Sequence, residues 1–504
     1  MALAHNLDIQ IERYSPQILR YELRALYGVY DPVLSVGATN AFTKYPGTFE
    51  NQKLKQSNPT IFPILQNFTT NTFGQDFPYE NRVVSVGPAL TGLLPMGLTY
   101  DFFARSDHVD GKSLVEPSLL VLQHDANTGG LIPAATNIPH TNNYYAIAGG
   151  NLNQPVLKDF WIDRYRRDIQ LSKKNLKISE LALRATLMTN VTRVVTNYYE
   201  LVAAREQINV ETVALQAARH LLDDTTKRFK AGAATDLDQQ QAEAALESIQ
   251  TDLFAAEQNF AGQENALKDM LTDDYRSWTG VTIAPSEKLT TVTELPANRA
   301  ASWANALSRR PDILQMQLEL EKQAIFLAFT YNQLFPSLNL VGSYGWQSIE
   351  HTLSESLNGL RNGTSPFFSA GAVFAIPVAN VTARNNHKAS QLARERAFLR
   401  FKSLEQSVIA EVDTEVKVTE NTFQQIASAR KAREFAQAAL ESLQQQYTAG
   451  TTNSYFVVEY QRLATLAQSV EIRALANYHI AQAQLALSEG TALERNQLQF
   501  KQRP

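Results

Sequence analysis

Leu187, Val194, Leu201, Ile208, Leu215, Leu222 and Phe229 stand seven residues apart, with Val191 and Tyr198 beside them, in a stretch free of proline and glycine that begins near Phe160. A seven-residue apolar repeat does not match the natural 3.6 residues per helical turn, so it holds one face against its neighbours only by supercoiling left-handed. The stretch predicts one very long helix. At about 1.5 Å per residue, positions 160–230 would reach roughly 105 Å, several times the width of a small domain. A compact enzyme core has no room for such a helix.

Composition narrows the remaining choices. Of the 504 residues 44% are apolar, as in a folded protein, and a net charge of −4 spread along the helices offers no basic stripe for nucleic acid. No window approaches 18 consecutive apolar residues, which excludes a spanning helix but not barrel strands, whose apolar residues alternate with polar ones. The absence of cysteine excludes disulfides, thiolate metal sites, a cysteine nucleophile and a lipid-bearing N-terminal cysteine. Residues 1–5 lack the charged start and apolar core of a secretory signal. That leaves a signal removed or omitted, toward which Ala2-Leu-Ala4 leans, or a cytosolic protein.

Along the chain, residues 8–30 predict a helix interrupted at Ser15-Pro16. A strand follows over 32–43, where Leu34, Val36, Ala38 and Phe42 alternate with small or polar residues. Residues 45–142 are rich in Asn, Thr, Gly and Pro and hold a hairpin candidate, Arg82 to Leu93 and Gly97 to Ala104. A weaker strand covers 144–155, the long helix 160–230, and a return helix 238–271 after the Ala231-Gly232 turn. Residues 272–308 form an irregular linker with a short helix at its end. A second series then begins: helix 312–334, strand 336–348, a polar loop from Ile349 to Thr364, strand 366–377, long helix 383–448, turn at Ala449-Gly450, return helix 455–489, and a polar tail 490–504.

The same order therefore occurs twice, over 1–271 and 309–489. Pro155 to Gly232 is 77 positions and Pro377 to Gly450 is 73, so the long helices match within about one turn. The first copy carries its extra length, 45–142, between its strands. Four strands, or six counting the hairpin, are too few for one chain to close a membrane barrel, and open edges cannot sit in lipid. Strands that span would have to be shared among several chains, with the helix pairs continuing the barrel as a cylinder. The residues alone leave equal room for a soluble or periplasmic coiled-coil scaffold without channel activity.

Four short motifs carry a family resemblance: Arg309-Arg-Pro-Asp-Ile313, Phe335-Pro-Ser-Leu-Asn-Leu340, Ala375-Ile-Pro-Val378 and Tyr447-Thr-Ala-Gly450. Asp31-Pro-Val-Leu34, Gln154-Pro-Val-Leu157 and Phe229-Lys-Ala-Gly232 repeat them loosely in the first copy. In this order the chain resembles the TolC family of outer-membrane efflux ducts over nearly its whole length. The resemblance implies an α+β membrane protein: a homotrimeric duct whose chains each give four strands to a twelve-stranded transmembrane β-barrel, continued by a long periplasmic α-helical barrel. Residues 272–308 and the tail would form an equatorial belt. The implied role is passive export from an inner-membrane transporter through a periplasmic adaptor protein, with outer-membrane lipid around the barrel. Leu338, Leu340, Tyr344 and Trp346 would face that lipid.

By the same resemblance, the turns at Gly232 and Gly450 dock the adaptor, and nearby polar contacts keep the duct closed. Asp238 and Tyr447 fall at those contacts; a carboxylate accepting a phenol hydrogen bond between neighbouring helix pairs would contribute about 1.5–3 kcal/mol. The basic partner falls on Thr452, which removes a salt-bridge latch. Two acidic positions ringing the constriction fall on Phe456 and Glu459. One acid remains, so a weaker cation-binding ring is expected, with Phe456 narrowing the pore by bulk. The plainer reading makes Glu459 a solvated helix charge and Tyr447 a core aromatic.

No catalytic residue, cofactor or metal ligand set emerges. The eight histidines have no ligand spacing, no phosphate-cradling loop or nucleophile elbow is present, and Asp223-Asp224 and Asp273-Asp274 read as solvated pairs. The hairpin at 82–104 reads as a cap above the barrel because Pro88 suits an edge better than a ladder; the alternative is two more spanning strands, eighteen in a trimer. The exported cargo is not legible.

Overall fold

The computed structural model describes residues 2–45, 79–112, 122–124, 131–133, 140–286, 289 and 298–498. They fall into two compact units, one formed by 24–169 and 326–389, the other by 1–23, 170–325 and 390–504. Among the described residues no helix is long and apolar enough to cross a membrane.

The first unit is built on one antiparallel sheet. Its strands are β1 (Val33–Tyr45), β2 (Tyr79–Leu93) and β3 (Thr99–Lys112), and, after a separate two-stranded ribbon of β4 (Leu122–His124) and β5 (Leu131–Pro133), β6 (His140–Pro155), β7 (Ser337–Glu350) and β8 (Ser365–Ala375). The order β1-β2-β3-β6-β7-β8 leaves β1 and β8 as edges. This corrects two expectations. The hairpin arms, expected above the other strands, are β2 and β3 and pair in the ladder between β1 and β6, so the sheet holds six strands where four were expected. Pro88 does not exclude β2. It sits beside Val36 in the ladder with β1, while the ladder with β3 lapses at Gly87 and Pro88 and resumes in the same register at Ala89. Gly87 permits this close approach, since a Cβ there would lie 2.1 Å from the Ala104 carbonyl oxygen. The rest of the 45–142 insertion lies outside the described residues.

The loop expected between β7 and β8 also differs, because Leu353–Asn362 is a helix. Thr352 Oγ1 accepts the Glu355 N–H at its start, and Gly363, at φ +65°, closes its end. The capping signal Thr352-x-x-Glu355 was present, but Gly359 and the polar surroundings obscured it.

Besides the single-turn helices Ala2–His5 and Ala492–Arg495, the α-helices of the described residues are α1 (Leu7–Leu26), α2 (Arg164–Lys230), α3 (Asp236–Leu271), α4 (Arg299–Arg309), α5 (Pro311–Asn332), α6 (Leu353–Asn362), α7 (Val381–Thr448) and α8 (Ser454–Ser488). The interruption expected at Pro16 is absent; α1 runs through it. In α2 the heptad positions from Leu187 to Leu222 are all buried or half-buried, and only Phe229, at the end, emerges to 39% exposure. The seam packs into cores shared by the two repeats. Val202 and Ala203 of α2 meet Ile426 and Ala429 of α7 and Ala474, Ala476 and Tyr478 of α8. Alanines here let helix backbones approach while the larger neighbours fill the gaps.

The Arg309-Arg-Pro-Asp motif acts structurally. Arg310 donates from Nε and Nη2 to Asp312 at 3.1 and 2.9 Å, and its Nη1 lies 3.0 Å from Glu411. Burial alone would push the Asp312 carboxyl up, yet the hydrogen bonds and charge of Arg310 hold it below the usual carboxylate range.

Candidate functional site

The two helix turns are built alike. The Gly232 N–H donates to Phe229 O and the Ala233 N–H to Arg228 O; the Gly450 N–H donates to Tyr447 O and the Thr451 N–H to Gln446 O. Both glycines lie in the left-handed region, at φ +76° and +75°. Each turn is thus a Schellman cap, in which the 6→1 and 5→2 bonds satisfy the last carbonyls of a long helix.

The starts of the return helices differ. Thr235 and Asp238 form a reciprocal capping box on α3. The corresponding positions at the start of α8 are Asn453 and Phe456, and Asn453 makes no side-chain cap. Asp238 serves both helices: Oδ2 accepts from the Thr235 N–H at 3.0 Å and hydroxyl at 2.6 Å, and Oδ1 accepts from the buried Ser454 hydroxyl at 2.9 Å.

Tyr447 is buried against Leu221 and Val457. Its hydroxyl lies 3.0 Å from Thr225 Oγ1, which already donates to Leu221 O, so the phenol is the donor. The Arg228 guanidinium stacks 4.1 Å from the ring centroid. Asp238 and Tyr447 therefore each connect the first repeat to the second, but through Ser454 and Thr225 rather than through each other within the chain. Thr452 is half-buried in the turn and Phe456 is exposed. The Glu459 carboxylate is paired with Arg462 at 2.6 and 3.1 Å, whose hydrogen bonds hold it below its usual range.

Thr225, Arg228, Ser454 and Arg462 were not anticipated. Thr225 had a signal, since it stands three residues past Leu222 on the seam side of α2. Ser454 carried no such signal among the polar residues after the Ala449-Gly450 turn.

The sheet has two unlike faces. Pairing puts Leu34, Leu90, Phe102, Gly150, Tyr344 and Phe368 in one cross-strand row; in the next, Val36 pairs with Pro88 and, across the lapse in the ladder, Ala104 with Ala148, Trp346 and Pro366. Leu338 and Leu340 lie on this same face; Leu340, Tyr344 and Trp346 are exposed and Leu338 is half-buried. Tyr344 and Trp346 meet edge to face at 5.0 Å. Charged residues appear on this face at one end of the strands: Lys44 with Glu80, Arg82, Asp110 and Glu350. The opposite face carries Ser35, Thr39, Thr91, Asn151, Ser343 and Ser369. An exposed apolar band of this extent needs an apolar environment.

An antiparallel sheet apolar on one face, together with two repeated pairs of very long helices, defines a class of protein whose strands suit a membrane. The sequence pattern described as Outer membrane efflux protein matches residues 143–272 and 303–491, more than half of the chain. The chain belongs to this family, the TolC family. The second matched block spans the second repeat, and the first covers the later half of the first repeat, from residue 143.

Among curated relatives it is 24% identical to the pyoverdine export outer membrane protein OpmQ of Pseudomonas aeruginosa, over 62% of this chain and 64% of that protein. It is 22% identical to the cation efflux system protein CusC of Escherichia coli K12, over 62% and 66%. The chain thus spans just under two thirds of the length of these relatives. Solved structures share the fold: the Campylobacter jejuni CmeC outer membrane channel at TM-score 0.63 and 17% identity, covering 97% of this chain and 84% of that one, and CusC at 0.65 and 15%, covering 97% and 90%.

Proposed function

We propose that the chain is the passive outer-membrane duct of a tripartite export system, assembled from three copies and working with a periplasmic adaptor and an inner-membrane transporter. The observation that carries this reading is the two-faced sheet with open edges. Its apolar face suits lipid, its polar face suits water, and the unpaired β1 and β8 edges require further copies before the sheet can enter a membrane. Relatives with the same fold are named as export and efflux proteins, which supports transport over a scaffold role.

The helix turns are the adaptor docking points. Phe229, Leu237, Tyr455 and Phe456 stand exposed around them, an apolar contact surface beside matched Schellman caps. Asp238, with Ser454, and Tyr447, with Thr225, tie the two repeats where a gate would open. Thr452 offers no charge to reinforce these ties. Glu459 keeps its position as a pore acid, but its pairing with Arg462 reduces its pull on cations below that of a free carboxylate. Leu338, Leu340, Tyr344 and Trp346 face lipid.

Extraction tests the reading. Membranes from expressing cells should release the protein only with detergent, as a complex with the mass of three chains. Full recovery without detergent would instead identify a soluble scaffold.

A further inference from the structure

The geometry points to a wider barrel than four strands per chain would build: β2 and β3 are wall strands, so three copies close an eighteen-stranded barrel. This inference rests on the duct reading and adds the identity of the wall.

Four observations converge on it. First, β2 and β3 are 15 and 14 residues long, matching β1, β6 and β7 at 13, 16 and 14 and exceeding the roughly 9–11 residues that a tilted strand needs to span. Second, both are paired on both sides, β2 with β1 and β3, β3 with β2 and β6. A hairpin folded above the barrel would leave β1 beside β6; here two strands separate them. Third, the inserted arms continue the apolar band, with Val86, Leu90 and Phe102 on the face that holds Leu340 and Tyr344. Their exposures of 48%, 36% and 50% fit a surface awaiting lipid. Fourth, six is even, so β8 of one copy meets β1 of the next antiparallel, as closure requires. The family match begins at residue 143, after the hairpin, so the added strands are a feature outside the matched pattern.

The consequence is a larger lumen with a different lining. With strands about 4.8 Å apart and tilted about 40°, eighteen strands give a backbone diameter of roughly 36 Å against roughly 24 Å for twelve. Among the described residues of the six strands, the polar face is charged only on β3, at Asp101, Arg105 and Asp107. Arg105 pairs with Asp107 at 3.0 Å, leaving Asp101 as the net charge each copy adds to the lumen. The barrel therefore admits cargo of broader cross-section than a twelve-stranded wall passes, and favours cations at the Asp101 level.

Spin labels on single cysteines, placed in a chain that has none of its own, test the wall directly. In lipid-reconstituted protein, labels at Val86→Cys and Phe102→Cys should be several-fold more accessible to oxygen than to an aqueous nickel chelate, and labels at Ser85→Cys and Phe103→Cys the reverse. Tyr344→Cys and Ser343→Cys on β7 supply the reference contrast. Contrast on β7 with aqueous access throughout β2 and β3 overturns the eighteen-stranded wall and leaves the duct intact. No contrast on β7 overturns the duct reading as well. Strand counting by electron cryomicroscopy of the unsubstituted protein in detergent gives an independent result: eighteen around the three-fold axis supports the inference, and twelve refutes it.

Discussion

At the scale of single residues, the end of the helical unit is held by two small polar ties of different character. Asp238 is a shared cap, and replacing it by Ala removes the α3 capping box and the bond from Ser454 together. We expect Asp238→Ala to raise single-channel conductance in planar bilayers; an unchanged conductance would remove its role as a latch. The Asp238 carboxyl is held below the usual carboxylate range by the Thr235 hydroxyl, then by the Thr235 N–H and Ser454, against the upward push of partial burial. Because the native value is depressed, the tie is complete above the usual range and is lost as pH falls through the lowered value. Strong acid alone should therefore increase conductance, and Asp238→Asn should abolish that response. Tyr447→Phe removes a donor while Thr225 keeps its bond to Leu221 O, so the expected loss is about 0.5–1.5 kcal/mol in thermal unfolding. A larger loss would show that the hydroxyl supports more than this bond. Asp238 and Tyr447 were legible from their places around the turns. Their partners were not, because Ser454 and Thr225 lie 216 and 222 positions away and meet them only once the two repeats pack.

Among elements, the long helices and their turns were the most legible, since a heptad seam and an Ala-Gly stop are local signals. The turns permit a clean energetic test. Gly232 and Gly450 have nothing within 4 Å of an added Cβ, so Gly→Ala there costs only the left-handed backbone, about 1–2 kcal/mol each. Gly262, inside α3 and equally uncrowded, has ordinary helical φ, so Gly262→Ala should stabilise by about 0.5–1 kcal/mol. Thermal unfolding of the three variants checks the contrast; the same sign at all three would contradict the assigned turn geometry. Helix α6 and the continuity of α1 through Pro16 escaped the sequence reading because breaker residues were given more weight than the tertiary packing that overrode them. Pro16 is buried, and α6 packs over β7 with Gly359 against Ser348.

For the whole molecule, alternation located the strands but not their neighbours. Val84, Val86, Tyr100 and Phe102 showed a hairpin with one apolar face, a pattern shared by a wall and a cap. Long-range register puts both arms in the sheet, and Pro88 carried a local penalty that the lapse at Gly87-Pro88 accommodates. On the proposed reading, the repeat, the very long helices and the strand edges serve one purpose, a water-filled path for export. The most direct measurement is conductance of the purified, detergent-extracted protein in a planar lipid bilayer. Insertion of the duct should give discrete steps of uniform size, larger for Asp238→Ala than for the unsubstituted chain. A protein that extracts without detergent and leaves the bilayer silent would contradict the account.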